Sequence, residues 1–139
     1  MSTNAVVKVA LFAGAFTALG SIGPWATILG FSTAGTEGDG IITLVLAIVA
    51  VASTLVVMST IPTPRYGTHW VALVASALAL VVAVYDVLDV SSTSGQLAGE
   101  TVHASPGWGL WLTLVAAFVL TCATTLINRR VRQGAPPQN

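Results

Sequence analysis

The chain has 139 residues, enough for one domain, of which 55% are hydrophobic and only 7% charged. A water-soluble domain carries about a quarter charged residues, so this composition excludes a soluble globule and makes lipid the solvent. A formal net charge of zero excludes the broad basic surface that nucleic acid demands.

Crossing about 30 Å of hydrocarbon takes about 20 mostly apolar residues. The first stretch that qualifies is "AVVKVALFAGAFTALGSIG", Ala5 to Gly23. Its end, "ALGSIG", resembles a signal-peptide cleavage site, but the preceding residues offer only Lys8 as a basic n-region, and a retained helix is the reading adopted. Ala10, Gly14 and Ala18 recur every fourth residue. This small-residue spacing lets helices approach closely, within one bundle or against another subunit. The loop after this span, residues 24–40, ends in "GTEGDG" with Glu37 and Asp39. It lacks the repeated ligands of a calcium loop and the Gly-Lys-Ser/Thr of a phosphate loop. The spacing instead predicts a turn, with Asp39 as N-cap of the next helix, opposing its positive dipole end. The sharper alternative is a weak calcium site shared with Glu100.

The second span is Ile41 to Ile61, closed by Pro62 and Pro64. Thr68 is placed to cap the third, His69 to Leu88, whose stripe is Ala75, Ala79 and Ala83. Asp86 and Asp89 lie three apart, on one helix face near the end of that span. A carboxylate at membrane depth is a functional candidate by default; the plainer reading is that it reaches the interface and water. Lys8 is no partner for Asp86, because the two enter from opposite ends, about 20 Å or more apart. In "SPGW", Ser105 is expected as N-cap and Pro106 as first helical residue of the fourth span, Gly107 to Ile127. Ala117, Thr121 and Thr125 give that span its stripe. Cys122, the single cysteine, sits mid-helix without a basic neighbour and is expected to be unreactive. Residues 129–139 read as a basic, disordered tail, with Arg129, Arg130 and Arg132 fixing topology or holding anionic head groups.

Each span must satisfy its own backbone hydrogen bonds in lipid, so all four are expected to be helical despite their many valines. The predicted class is all-α: a four-helix transmembrane bundle with short loops, over residues 1–128. All five basic residues (Lys8, Arg65, Arg129, Arg130, Arg132) fall at one set of span ends. All five acidic ones (Glu37, Asp39, Asp86, Asp89, Glu100) fall at the other. Basic ends face the cytoplasm, so both termini are expected there, in the plasma membrane. Trp25, Trp108 and Trp111 would mark the outer interface, and Tyr66, His69 and Trp70 the inner one.

Trp25, the "GDG" at 38–40 and the "GWGLW" at 107–111 together resemble small uncharacterised four-span membrane proteins of actinobacteria and their phages. That resemblance covers most of the chain and implies no specific activity. The four-span claudins also have a "GLW", but theirs lies in the first external loop with a cysteine pair, which this chain lacks. No nucleophile elbow, metal-ligand cluster or cofactor motif is present. The role expected is a non-enzymatic accessory or scaffolding subunit, packed in the bilayer against another membrane protein or itself. The alternatives are a pore-former such as a phage holin, and a small ion channel or transporter using Asp86.

Overall fold

A computed structural model describes residues 2–28, 30–58, 67–97 and 100–133. Four helices form in the expected order: α1 (Thr3–Ile22), α2 (Gly40–Met58), α3 (Thr68–Ser92) and α4 (Trp108–Arg132). Each is long and apolar enough to cross a membrane, and the chain is a multi-pass, four-helix membrane protein. α1 packs along α2 and α4, and α3 along the same two, while α2 and α4 barely meet. Neighbours run antiparallel: Ser21 at the end of α1 bonds Thr43 at the start of α2, and Ser76 early in α3 bonds Thr124 late in α4. The described acidic side chains therefore gather at one end of the bundle and the arginines of α4 at the other.

The interior holds small residues and the exterior large ones. Ala10, Ala47, Ala50, Ala79, Ala83 and Ala117 are completely buried, whereas Phe12, Phe16, Ile48, Val81 and Phe118 are exposed. Water would invert this pattern. Lipid does not, because apolar exteriors cost nothing there and close contact between small residues holds the helices together. Buried hydroxyls return their protons to the preceding turn, as in Thr17 to the Ala13 carbonyl, Thr54 to Ala50 and Thr113 to Gly109. Two hydroxyl pairs also bridge helices, Ser21–Thr43 at 2.7 Å and Ser76–Thr124 at 2.9 Å. Ser21 and Thr43 each lie in reach of a carbonyl of their own helix as well. Two protons thus serve three contacts, and one contact is always unmade.

The connections at the acidic end are more ordered than short loops require. β1 (Pro24–Ile28) pairs antiparallel with β2 (Phe31–Ala34) and with β5 (Ser105–Pro106), giving a three-stranded sheet in the order β2-β1-β5. β3 (Ser94–Leu97) and β4 (Glu100–His103) form a separate hairpin. A 3₁₀ turn, Gly35–Glu37, leads into α2.

Several expected boundaries shift for identifiable reasons. Thr68 is the first residue of α3; the cap position belongs to Gly67, at φ 117°, a left-handed conformation that suits glycine. Ser105 and Pro106 do not start α4. They pair with Thr27 and Ala26 as β5, and Gly107 becomes the N-cap, its N–H donating to the Trp25 carbonyl at 2.8 Å. The three arginines expected on a disordered tail instead lie in the last turn of α4, where cations complement the helix dipole. Pro62, Pro64, Arg65, Tyr66 and residues 134–139 lie outside the described residues.

Candidate functional site

The acidic end is built around the close approach of α1 and α4. A Cβ on Gly20 would fall 2.7 Å from the Thr113 nitrogen, and one on Gly109 would fall 2.7 Å from the Gly23 carbonyl carbon. Only glycine lets these backbones meet. The chain leaves α1 at Gly23 and folds Trp25 back under itself, so that the indole Nε1 donates to the Gly20 carbonyl at 3.0 Å. Trp25 is only 6% exposed. It therefore does not sit in an interfacial belt as expected, because its one polar atom is satisfied inside the protein. Trp108 and Trp111 are exposed as a belt requires.

Gly35 seals the other side of Trp25. A side chain there would strike the Ser21 carbonyl and the indole, and the Gly35 N–H donates to the Gly23 carbonyl at 2.9 Å. The "GTEGDG" stretch is thus pinned to the end of α1. Asp39 immediately precedes α2, and its carbonyl accepts from the Ile42 and Thr43 amides at 2.9 and 3.2 Å. That is the main-chain geometry of a helix cap.

The last turns of α3 run beside this segment. A cavity of about 270 Å³ results, lined by Trp25, Glu37, Asp39, Asp86, Asp89 and Val90 among others. Four of the protein's five acidic residues line it, of which Glu37, Asp39 and Asp89 are exposed, and no described lysine or arginine does. Asp86 is 8% exposed, and its Oδ2 is fully enclosed without a hydrogen-bond partner. Asp39 is its stronger like-charge neighbour and Asp89 the next. Burying a carboxylate oxygen is costly; the Asp39 side chain lies within hydrogen-bond reach of the Asp86 carboxyl, and a proton shared between the two would relieve that cost. No three of the described His, Cys, Asp and Glu residues are arranged to hold a metal ion. Glu100, the partner suggested for a calcium site, opens β4, and its side chain lies outside the described set.

No family model, curated protein or solved structure matches this chain. The function must be read from the geometry alone.

The other singled-out residues lie elsewhere. Ala79 is wholly buried in the bundle, and Gly14 is buried where a Cβ would strike Val51 of α2. Ala18 is half-buried and, with Gly14, Ala15 and Ala52, lines an apolar groove of about 280 Å³ between α1 and α2. The Ala117, Thr121, Thr125 stripe does not face inward as a unit; the buried face of α4 runs through Thr113, Ala117, Leu120, Thr124 and Ile127. At the basic end the Arg132 guanidinium lies 5.0 Å from the Trp70 ring centroid, and the His69 ring lies 6.2 Å from the same tryptophan. Cys122 and His103 are exposed. Two features have no counterpart in the sequence reading: the glycine contact of α1 with α4, and buried Asn128, whose Oδ1 has no partner. Single glycines in an alanine-rich span carry no distinguishing spacing, and one asparagine near a run of arginines reads as surface.

Proposed function

We propose that the chain is a non-enzymatic accessory or scaffolding subunit of the plasma membrane, both termini cytoplasmic and the acidic end external. Its partners are the lipid bilayer and another membrane protein or a second copy of itself; nucleic acid is not among them. The observation that carries this reading is the α1–α2 groove, floored by Gly14, Ala15, Ala18 and Ala52 and flanked by Leu11, Ile48 and Leu55. A small-residue floor between large apolar rims is the shape into which a neighbouring helix ridge fits in lipid. Kinship with the actinobacterial and phage four-span proteins belongs to the same proposal.

A photoreactive residue at Ala15 tests the role in native membranes. Crosslinks to one discrete polypeptide, or to a second copy of the chain, are expected; adducts to lipid alone would refute the reading. A cytoplasm-active reporter on the C-terminus and a periplasm-active one in the 89–106 segment test the orientation, and both should be active.

The cavity at the acidic end favours a second reading, a small channel or transporter using Asp86. It predicts an ion-dependent flux that Asp86→Asn abolishes. A phage holin would collapse the membrane potential on expression. The accessory reading predicts neither result.

A further inference from the structure

We propose that the β2-β1-β5 sheet is an interfacial anchor, one face resting on the lipid of the leaflet at the acidic end and the other facing water. The tip of the β1–β2 hairpin, with Ile28 and Phe31, would be the part that enters the lipid. Phe31 is 83% exposed, more than any other large apolar side chain among the described residues. It lies on a hairpin, not on a spanning helix whose flank faces lipid anyway.

The strand pairing sorts the side chains. Residues directly opposite each other in an antiparallel pair share a face, and successive residues along a strand alternate between faces. Ile28 opposes Phe31, and Ala26 opposes both Thr33 and Pro106, so these make one face, apolar but for Thr33. Thr27 opposes Ser32 and Ser105, and the other face is a row of hydroxyls across the three strands. Residues 24–34 carry no charge at all. The sheet is the strand counterpart of an amphipathic helix that lies in a membrane surface.

The apolar face is turned toward the bundle. Ala26 and Thr33 line the cavity that ends on Asp86, Asp89 and Val90 of α3. Ile28 and Phe31 continue the same face beyond that cavity, and a Cβ on Gly30 beside them would meet nothing within 4 Å. The level fits as well. Gly107 bonds the Trp25 carbonyl and Pro106 pairs with Ala26, immediately before exposed Trp108 opens α4. Ile28 is two residues along the strand from Ala26, about 7 Å, which is about the depth of the head-group region on one side of a bilayer. The free edge of β2 keeps the sheet from sinking further, because unpaired backbone groups are not tolerated in hydrocarbon. This inference rests on the membrane-spanning fold and stands apart from the subunit reading, which concerns the α1–α2 groove.

The test uses the full chain with Cys122→Ser, in phosphatidylcholine nanodiscs, carrying a nitroxide on one introduced cysteine. Phe31→Cys and Ile28→Cys report the tip, Ser32→Cys reports the hydroxyl face, and glutathione bearing the same nitroxide is the reference for water. Power saturation compares collisions with oxygen, which concentrates in lipid, against collisions with a water-soluble nickel chelate. At positions 28 and 31 the oxygen-to-nickel ratio is expected to be at least threefold above the water reference. At position 32 nickel access is expected to be at least twofold higher than at 31. A water-like ratio at the tip would overturn the proposal. So would shielding of the tip from both reagents, which would place it under a second copy or another protein, and so would equal nickel access at 31 and 32. The two tip positions lie on different strands, so either one decides the outcome should the other variant fail to fold.

Discussion

The two ends of the bundle solve different problems with nearly equal numbers of charges. At the basic end Arg129 and Arg132 are exposed on the last turn of α4, and Arg132 lies over Trp70 at the surface. At the acidic end the chain adds a sheet, a 3₁₀ turn and several glycine contacts, and buries a carboxyl oxygen without a partner. The first arrangement keeps its charges in water on flexible side chains, although Asn128 beside them also buries an amide oxygen without a partner. The second leaves Glu37, Asp39 and Asp89 exposed and holds one carboxyl group, that of Asp86, out of water.

The comparison breaks most readily at the glycine contacts. Gly109→Ala is expected to have the largest effect, because the added methyl meets backbone atoms of Gly20 and Gly23, and backbone cannot rotate aside. The loss of stability should reach or exceed about 3 kcal/mol, the upper end for overpacking, read as thermal unfolding in detergent. A variant as stable as the wild type would mean that α1 and α4 are not in close contact there.

Gly14→Leu comes next. The obstacle is a Val51 side chain on α2, which can change rotamer, and leucine is the better helix former by nearly 1 kcal/mol. Four added carbons still exceed what the contact can absorb, and a net cost of about 1–3 kcal/mol is expected. Gly14→Ala should cost clearly less than Gly109→Ala. The reverse order would show that the two contacts are not distinguished by backbone against side chain.

How much of this was legible in the sequence depends on the range of the interaction. Span number, helical class and the sorting of acids from bases follow from composition, run length and the hydrogen-bond rule in lipid. All of these are local properties. The gathering of Asp39 with Asp86 was half legible: antiparallel neighbours joined at one end put both on the same side. Whether Asp86 reached water or turned inward was not legible, since that depends on Gly35 and Trp25 closing over it from another segment. Pro106 failed as a helix start for the same reason. Its local preference is sound, but Ala26 and Thr27 offered a strand partner from 80 residues away in the chain.

Asp86→Asn probes the burial of charge directly and has a smaller effect of opposite sign. Replacing the carboxylate with an amide removes repulsion from Asp39 and Asp89 and supplies N–H groups that Asp39 can accept. The variant should be more stable than the wild type by about 1 kcal/mol, the scale of one close like-charge pair in a well-solvated setting. Destabilisation of the variant would mean instead that the Asp86 carboxylate holds the fold together.

Arg132→Ala at the basic end should have the smallest effect. The guanidinium over Trp70 is an exposed cation–π contact, worth about 0.5–1 kcal/mol, and the helix-dipole term it shares with Arg129 and Arg130 is of similar size and screened by salt. Thermal unfolding of Arg132→Ala and Arg132→Lys at low and high salt separates the two. Lysine keeps the dipole term and part of the cation–π attraction but loses guanidinium stacking on the indole. If stacking matters, lysine should fall between arginine and alanine at low salt and stay below arginine at high salt. If only charge matters, lysine should equal arginine throughout. A loss in Arg132→Ala as large as that in Gly109→Ala would contradict the distinction between the ends, because it would make the basic end a rigid frame as well.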